Sequence, residues 1–585
     1  MSTQDPFVEI ASRYPLLSLV IFLPLFGALL AIFVPKDNRK ALQAVGLFIS
    51  TLTLLGAIVI WREFDSIVGF QMVERFEWVP GGIHYFLGID GLNLLLVMLS
   101  TLLTPIVLLS ATSAVHSRVK EFVVCVLLLE TGTLGCLLAL DLFLFYFFCE
   151  ALLIPLYLLI GIWGGKARSY AAKKFMAYMV FGTSLMLVAL VYLYRKTGAS
   201  SSAYTDILAL ELTHNEQVWI FLAIAFSFAI KVPLVPFHTW LSDAHTEAPI
   251  AGSVFLSGML LNIGAYAFLR FCIPLFPHAA GVCSKPIMVL AVIGIIYGAF
   301  LAFAQTDVKK LVAYASLSQL GFILLGIFVF TEAGVEGSLL QMFSHGITVC
   351  GLILCVGILT ERRETSTVTA YGGIAKRLPV FTAVLTVMMF SCIGVPGTSG
   401  FAGEFLILSG TFQEALHSQL LPLSGWKPSL GLYDNLNGLV AWLSSWRVVT
   451  TTLAVLAVLG MVLGVVYMLS MFRRMMCDPI THDDNGQLSD LSLREAIYLL
   501  PLVVLIIFVG LCPNVLMEKT HASVDAYVAH VRPELAEARS PVTEKIKRSR
   551  RGIAFKDKDL PGRIERSDGV QPAGPASFAT PNSGE

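Results

Sequence analysis

Charge is what this sequence has least of. Only 14% of its 585 residues are Asp, Glu, Lys or Arg, and the 40 acidic residues offset the 40 basic ones. A chain so balanced has no basic face with interleaved aromatics for nucleic acid, and its net charge selects no partner. Cysteine occurs ten times but never in metal spacing: there is no Cys-x-x-Cys and no Cys/His cluster. An iron–sulfur cluster or a zinc site is therefore not expected. No glycine fingerprint follows a strand, so neither a nucleotide nor a flavin is expected. The expectation is no cofactor on this chain, with any redox chemistry on another subunit. The first apolar run, from Tyr14 to Val34, lacks a basic leader and a small-residue cleavage site, so it reads as a retained helix.

What is present is apolar length. The chain is 56% hydrophobic, with a mean hydropathy of +0.77. About 20 apolar residues cross about 30 Å of hydrocarbon. Fourteen runs meet that length: 14–34, 41–60, 89–111, 121–139, 142–163, 175–194, 217–237, 249–269, 286–305, 311–331, 337–360, 379–410, 449–472 and 496–517. The fold class expected is an all-α polytopic membrane protein with 14 transmembrane helices. Three loops, 61–88, 195–216 and 411–448, are too long and polar for turns and read as ordered surface. One set of loops carries about twice the Lys and Arg of the other, which assigns it to the cytoplasm and both termini to the outside.

The seventh run does what a span should avoid. It places Lys231 deep in apolar sequence and follows it with Pro233 and Pro236. An intramembrane ammonium costs several kcal/mol, about 2.5 to 3.5 on insertion scales, which makes it a candidate functional site. The prolines open the helix just past it. The twelfth run is broken in the same way at Gly394-Val-Pro396-Gly397, with Glu404 following. The breaks lie five spans apart, an offset that reverses direction. Paired broken helices mark inverted repeats with midplane ion sites. The expected repeats are spans 4–8 (residues 121–269) and 9–13 (286–472). Residues 1–120 precede them, and a connector with the last span (473–517) and a polar, largely disordered tail (518–585) follow.

The other intramembrane ionisable residues are few. Glu150 lies midway along span 5, where burial disfavours a lone carboxylate charge and a nearby ammonium would preserve it, so Lys231 is its natural partner. Glu130, in span 4, either faces the same interior or is satisfied by Thr131 or a backbone carbonyl. His345, in span 11, suits a proton relay. His238 and His245, past the seventh break, could pass protons inward. Their spacing with Asp243 and Glu247 is compatible with a metal but lacks a register facing one ion. Glu404 is the exit-side carboxylate. Glu150, Lys231, His345 and Glu404 form a chain whose gaps only water could fill.

The stretch from Ile230 to Pro249 resembles the hallmark of the antiporter-like subunits of proton-translocating NADH–quinone oxidoreductase, respiratory complex I. Leu87–Leu96, Asp141–Tyr157 running on to Gly164, and Gly397–Phe405 narrow the resemblance to the chain M branch. It covers residues 15–517. It implies 14 helices, inverted repeats at spans 4–8 and 9–13, and a hydrated midplane axis. It places the ion-pair carboxylate at Glu150, the pumping lysine at Lys231, the relay histidine at His345 and the exit carboxylate at Glu404. The implied partners are neighbouring antiporter-like and other membrane subunits and the lipid bilayer, with only protons and water moved. The implied location is a bacterial inner membrane.

Two positions depart from the family pattern. Asn262 stands where the family has a lysine, and Gln319 where it usually has a histidine. Neither can titrate. That leaves two rivals to a proton-conducting subunit: a structural paralogue that no longer conducts, and a cation/proton antiporter or membrane hydrogenase subunit.

Overall fold

The computed structural model describes residues 9–11, 14–417, 446–479 and 483–533. A backbone in hydrocarbon must satisfy its own polar groups, and long apolar runs do so as helices. In chain order these are α1 (Leu16–Phe33), α2 (Arg39–Glu63), α3 (Leu94–Ala114), α4 (Val119–Leu138), α5 (Leu142–Trp163) and α6 (Arg168–Lys196). A short α7 (Tyr204–Leu208) precedes α8 (His214–Lys231) and α9 (Thr239–Glu247). Next come α10 (Ile250–Cys272), α11 (Pro277–Phe303), α12 (Val308–Phe328) and α13 (Glu332–Arg363). The last are α14 (Pro379–Cys392), α15 (Ser399–His417), α16 (Trp446–Phe472), α17 (Leu493–Leu511) and α18 (Asn514–Val531).

Among the described residues, 12 helices are long and apolar enough to cross a membrane. The pairs α8/α9 and α14/α15 are the interrupted segments, broken where the prolines and glycines predict. At the centre, the apolar stretches of α10 and α13 are wholly buried and that of α12 nearly so. These carry Asn262, His345 and Gln319. Outer helices such as α1, α2 and α6 turn Phe33, Phe48 and Phe181 outward, as a surface against hydrocarbon requires.

Residues 61–88, expected as ordered surface, contain a hairpin. Strand β2 (Phe70–Val79) pairs antiparallel with β3 (Ile83–Ile89), and β1 (Glu9–Ala11) joins β2 in parallel. Asp141 ties this hairpin to α5. Its carboxylate accepts from the backbone N–H groups of Phe143 and Leu144 at the helix start, from His84 N at 3.1 Å and from Ser202 Oγ at 2.6 Å.

Two boundaries differ from the sequence reading. The polar tail is expected from 518, yet Asn514–Val531 is helical and packs on α13. Its apolar residues Leu516, Val524 and Val528 are buried, a stripe too short to register as a span. The rest of the expected tail, 534–585, and loop residues 418–445 lie outside the described residues. The eighth run is expected to end at 269, which leaves Arg270 in the following loop, but α10 continues through it to Cys272. Its guanidinium is buried because Asp90 pairs with it at 2.5 Å and the Tyr266 hydroxyl accepts from Nε at 3.1 Å.

Candidate proton path between the two helix breaks

A Thr213–Glu216 capping box starts α8, and Lys231 ends it. Pro233 and Pro236 have no N–H to continue the ladder. The carbonyl of Ile230, freed by the break, accepts from Trp240 Nε1 at 3.0 Å, so α9 is stitched back across the gap. Lys231 is 1% exposed. Its ammonium donates to Ser227 Oγ, one turn back, at 3.4 Å. Helix α10 presses on this point through Gly264, where an added Cβ would come within 3.0 Å of the Lys231 Cβ.

The expected Glu150–Lys231 contact is not closed. Among the described residues no ion pair within 4.0 Å joins them, and Glu150 Oε1 is buried without a hydrogen-bond partner. Glu150 directly follows Cys149, whose thiol lies 3.4 Å from that of Cys136 in α4. Glu130 is fully buried with both oxygens unpartnered. Thr131 does not satisfy it, since that hydroxyl donates to Leu127 O. Its polar neighbour is Thr104 of α3, whose hydroxyl donates to Ser100 O. No hydrogen bond or ion pair joins Glu130 to Glu150 or Lys231 among the described residues.

Asn262 and Gln319 have structural work. Helix α10 contains a π turn at Leu256–Leu260, a distortion common at functional sites. The Asn262 amide donates to Gly258 O within it, at 2.8 Å, and to Met342 O of α13, at 3.0 Å. Gln319 Nε2 donates to the Cys392 carbonyl at the end of α14, at 2.8 Å. Each amide caps a carbonyl at a helix irregularity and leaves its own oxygen, Asn262 Oδ1 or Gln319 Oε1, buried and unpartnered.

His345 lies on α13 one turn beyond Met342, 1% exposed, with neither ring nitrogen hydrogen-bonded. At the second break Gly394 adopts φ +66°, and a Cβ there would fall 2.5 Å from Glu404 Oε2. Only a glycine leaves that carboxylate its place. Gln319 Nε2 also donates to the Cys392 thiol, at 3.4 Å.

The sequence reading missed a run of hydroxyls. Thr348 Oγ1 and Ser391 Oγ are 2.7 Å apart, Ser391 Oγ and Ser399 Oγ 3.0 Å, and Ser344 Oγ donates to Ser399 O at 3.0 Å. The signal was available. Gln341, His345 and Thr348 recur at i, i+4 and i+7, a polar stripe on an otherwise apolar helix.

His245 is buried, with Nε2 2.7 Å from Ser257 Oγ. His238 is nearly buried, its ring edge-on to Tyr297, and its Nδ1 has no partner. The metal spacing dissolves in three dimensions. Asp243 pairs with Lys174 at 2.7 Å, and Glu247 accepts from Ala167 N at 2.8 Å. Among the described residues no group of three or more His, Cys, Asp or Glu is placed to hold a metal ion.

Residues 139–425 match the family described as NADH:quinone oxidoreductase/Mrp antiporter, transmembrane. NADH-quinone oxidoreductase subunit M of Rickettsia prowazekii (strain Madrid E) is 39% identical over 520 residues, covering 87% of this chain and 98% of that protein. The chain belongs to the NADH-quinone oxidoreductase subunit M family. NADH-ubiquinone oxidoreductase chain 4 of Marchantia polymorpha is a 36% identical relative of this subunit M family member, covering 89% of this chain and 98% of its own. Among solved structures, a chain of respiratory complex I from Thermus thermophilus superposes with a TM-score of 0.75 at 30% identity. It covers 88% of this chain and 99% of that one. A chain of the Mrp complex from Dietzia, at 20% identity and a TM-score of 0.72, covers 88% and 100% and shares the fold.

Proposed function

We propose that this subunit M family member is the proton-translocating membrane subunit of a bacterial inner-membrane NADH–quinone oxidoreductase. Redox chemistry occurs on other subunits, and neighbouring membrane subunits bind alongside. Fourteen crossings result if each interrupted pair counts as one span, and a break five spans after another supports inverted repeats.

The observation that carries this reading is a set of buried polar atoms without protein partners. Glu150 Oε1, Asn262 Oδ1, both His345 nitrogens, Gln341 Oε1 and Gln319 Oε1 belong to it. Buried polar groups are nearly always satisfied, so these atoms are places for ordered water. Lys231, Glu150 and Glu404 are the ionisable side chains that this reading assigns to the path. The hold of Lys231 on its proton changes as a carboxylate approaches or recedes. The open Glu150–Lys231 geometry supports a pair that changes separation during the cycle. His345, with both nitrogens free, can take a proton on one and release it from the other. Asn262 and Gln319 do not titrate, but each offers water an acceptor oxygen.

The second reading is a scaffold that keeps fold and contacts without conducting. It is favoured by one observation, that both replaced positions cap carbonyls. Proton uptake per electron pair, measured in proteoliposomes holding the whole complex, separates the two. Lys231→Ala and Glu150→Ala each abolish pumping and coupled quinone reduction under the first reading. Normal stoichiometry in both variants leaves only the scaffold.

A further inference from the structure

A proton path needs an opening to water, and one of the cavities among the described residues is a candidate. It lies among α3, α4, α5, α10, α13 and α17 and has a volume of about 300 Å³. Its walls are apolar at Phe122, Trp163 and Ile250, but Ser110, Glu361 and Lys309 also line it. The positive-inside assignment of the Lys309–Lys310 loop puts its mouth on the cytoplasmic side.

Lys309 is the unusual member. It sits in the first turn of α12, the end where a helix dipole disfavours a cation, so its position does nothing for the helix. Its ammonium makes one long hydrogen bond, to Ala248 O at 3.4 Å. Asp307 and Glu247 act on it electrostatically, but no ion pair within 4.0 Å holds it among the described residues. Behind it lies a second cavity of about 10 Å³, lined by Lys309, His245, Ser253 and Val312 among others. That is room for about one water molecule. His245 belongs to the same lining, and its Nε2 lies 2.7 Å from Ser257 Oγ. Ser257 belongs to the π turn, whose next residue, Gly258, lies against the Gly346 carbonyl, adjacent to His345.

We infer that the 300 Å³ cavity is the aqueous mouth of the proton path and that Lys309 is its inner door, passing protons from cavity water to His245. The ammonium of Lys309 gives a proton to the water in the small cavity, and that water gives one to the His245 imidazole. Lys309 regains its proton from hydronium in the large cavity. His245 passes its proton toward Ser257 and the π turn. This rests on the proton-translocation reading and adds to it a residue and an opening.

The test uses the intact complex in proteoliposomes, with Lys231→Ala run alongside. Lys309→Ala is expected to lose at least about tenfold in coupled rate, as for removal of a proton-transfer group. Ethylammonium, small enough for the cavity, is expected to restore part of it, and ethanol is not. Lys309→Arg keeps the charge and any structural tie but cannot release a proton, so it should assemble, remain slow and gain nothing from the amine. Normal rates in Lys309→Ala with a dead Lys231→Ala overturn the door and leave translocation standing. Loss in Lys309→Ala without amine rescue, or full activity in Lys309→Arg, also overturns it. Normal rates in both alanine variants bring down the translocation reading itself.

Discussion

The side-chain amide of Gln319, on α12, donates to the Cys392 carbonyl at the end of α14, at 2.8 Å. The second helix break is thus held open by a residue that cannot carry a proton. Asn262 does the same for Gly258 and Met342 near the centre of the bundle. Leaving a buried carbonyl unmet costs about 1–3 kcal/mol. Gln319→Leu is therefore expected to lower the thermal stability of the complex, whereas Gln319→His, which can still donate, should lower it less. Equal melting temperatures for both variants and the parent would remove the structural role assigned here.

Gly394 and Glu404 form a tighter relationship. Gly394→Ala puts a Cβ into left-handed backbone, at a cost of about 1–2 kcal/mol, and 2.5 Å from Glu404 Oε2. The carboxylate must move. Proton pumping should fall severalfold while quinone reduction at dissipated membrane potential falls less. Unchanged pumping would mean that the place of Glu404 does not matter.

Asp90 and Arg270 are a buried pair, with the guanidinium stacked over the Phe70 ring at 5.2 Å. Removing one partner strands the other charge, a loss of about 3–5 kcal/mol. Asp90→Asn and Arg270→Ala should each reduce the assembled subunit in membranes, measured by native gel. The double variant Asp90→Asn/Arg270→Met should recover part of the loss. No recovery would show that the pair does more than compensate its own charges.

Helix α18 is fastened by His521, whose Nδ1 lies 2.5 Å from Glu336 Oε1. That hydrogen bond raises the His521 pKa above its ordinary 6.5 despite some desolvation, and Asp525 adds to the effect. A raised folded-state pKa means the contribution is complete below the unfolded value and lost as pH rises through the folded one. The side chain is 60% exposed, so solvent screens the pair and the effect is modest. Hydrogen exchange across Asn514–Val531, corrected for intrinsic rates, should quicken above that pH, and His521→Asn should flatten the dependence. A flat profile in the parent protein would discard the fastening.

The position of the lysine and the two breaks were legible in the sequence because their causes are local. Proline has no N–H, glycine reaches positive φ, and a charge in an apolar run stands out against its neighbours. The rest depended on packing. No spacing rule says that Glu150 and Lys231 stop short of an ion pair, because their helices meet only through tertiary contacts. Asn262 and Gln319 looked like lost relay groups in one dimension. In three they cap carbonyls contributed by residues 80 and 73 positions away. Arg270 looked like a loop residue until Asp90, 180 positions distant, neutralised it inside the bundle. Sequence by itself determined that this chain lives in a membrane and carries charge there, since hydrophobicity and backbone chemistry act over a few residues. Only the tertiary structure decided what each charge and amide meets, since that depends on which helices the fold brings side by side.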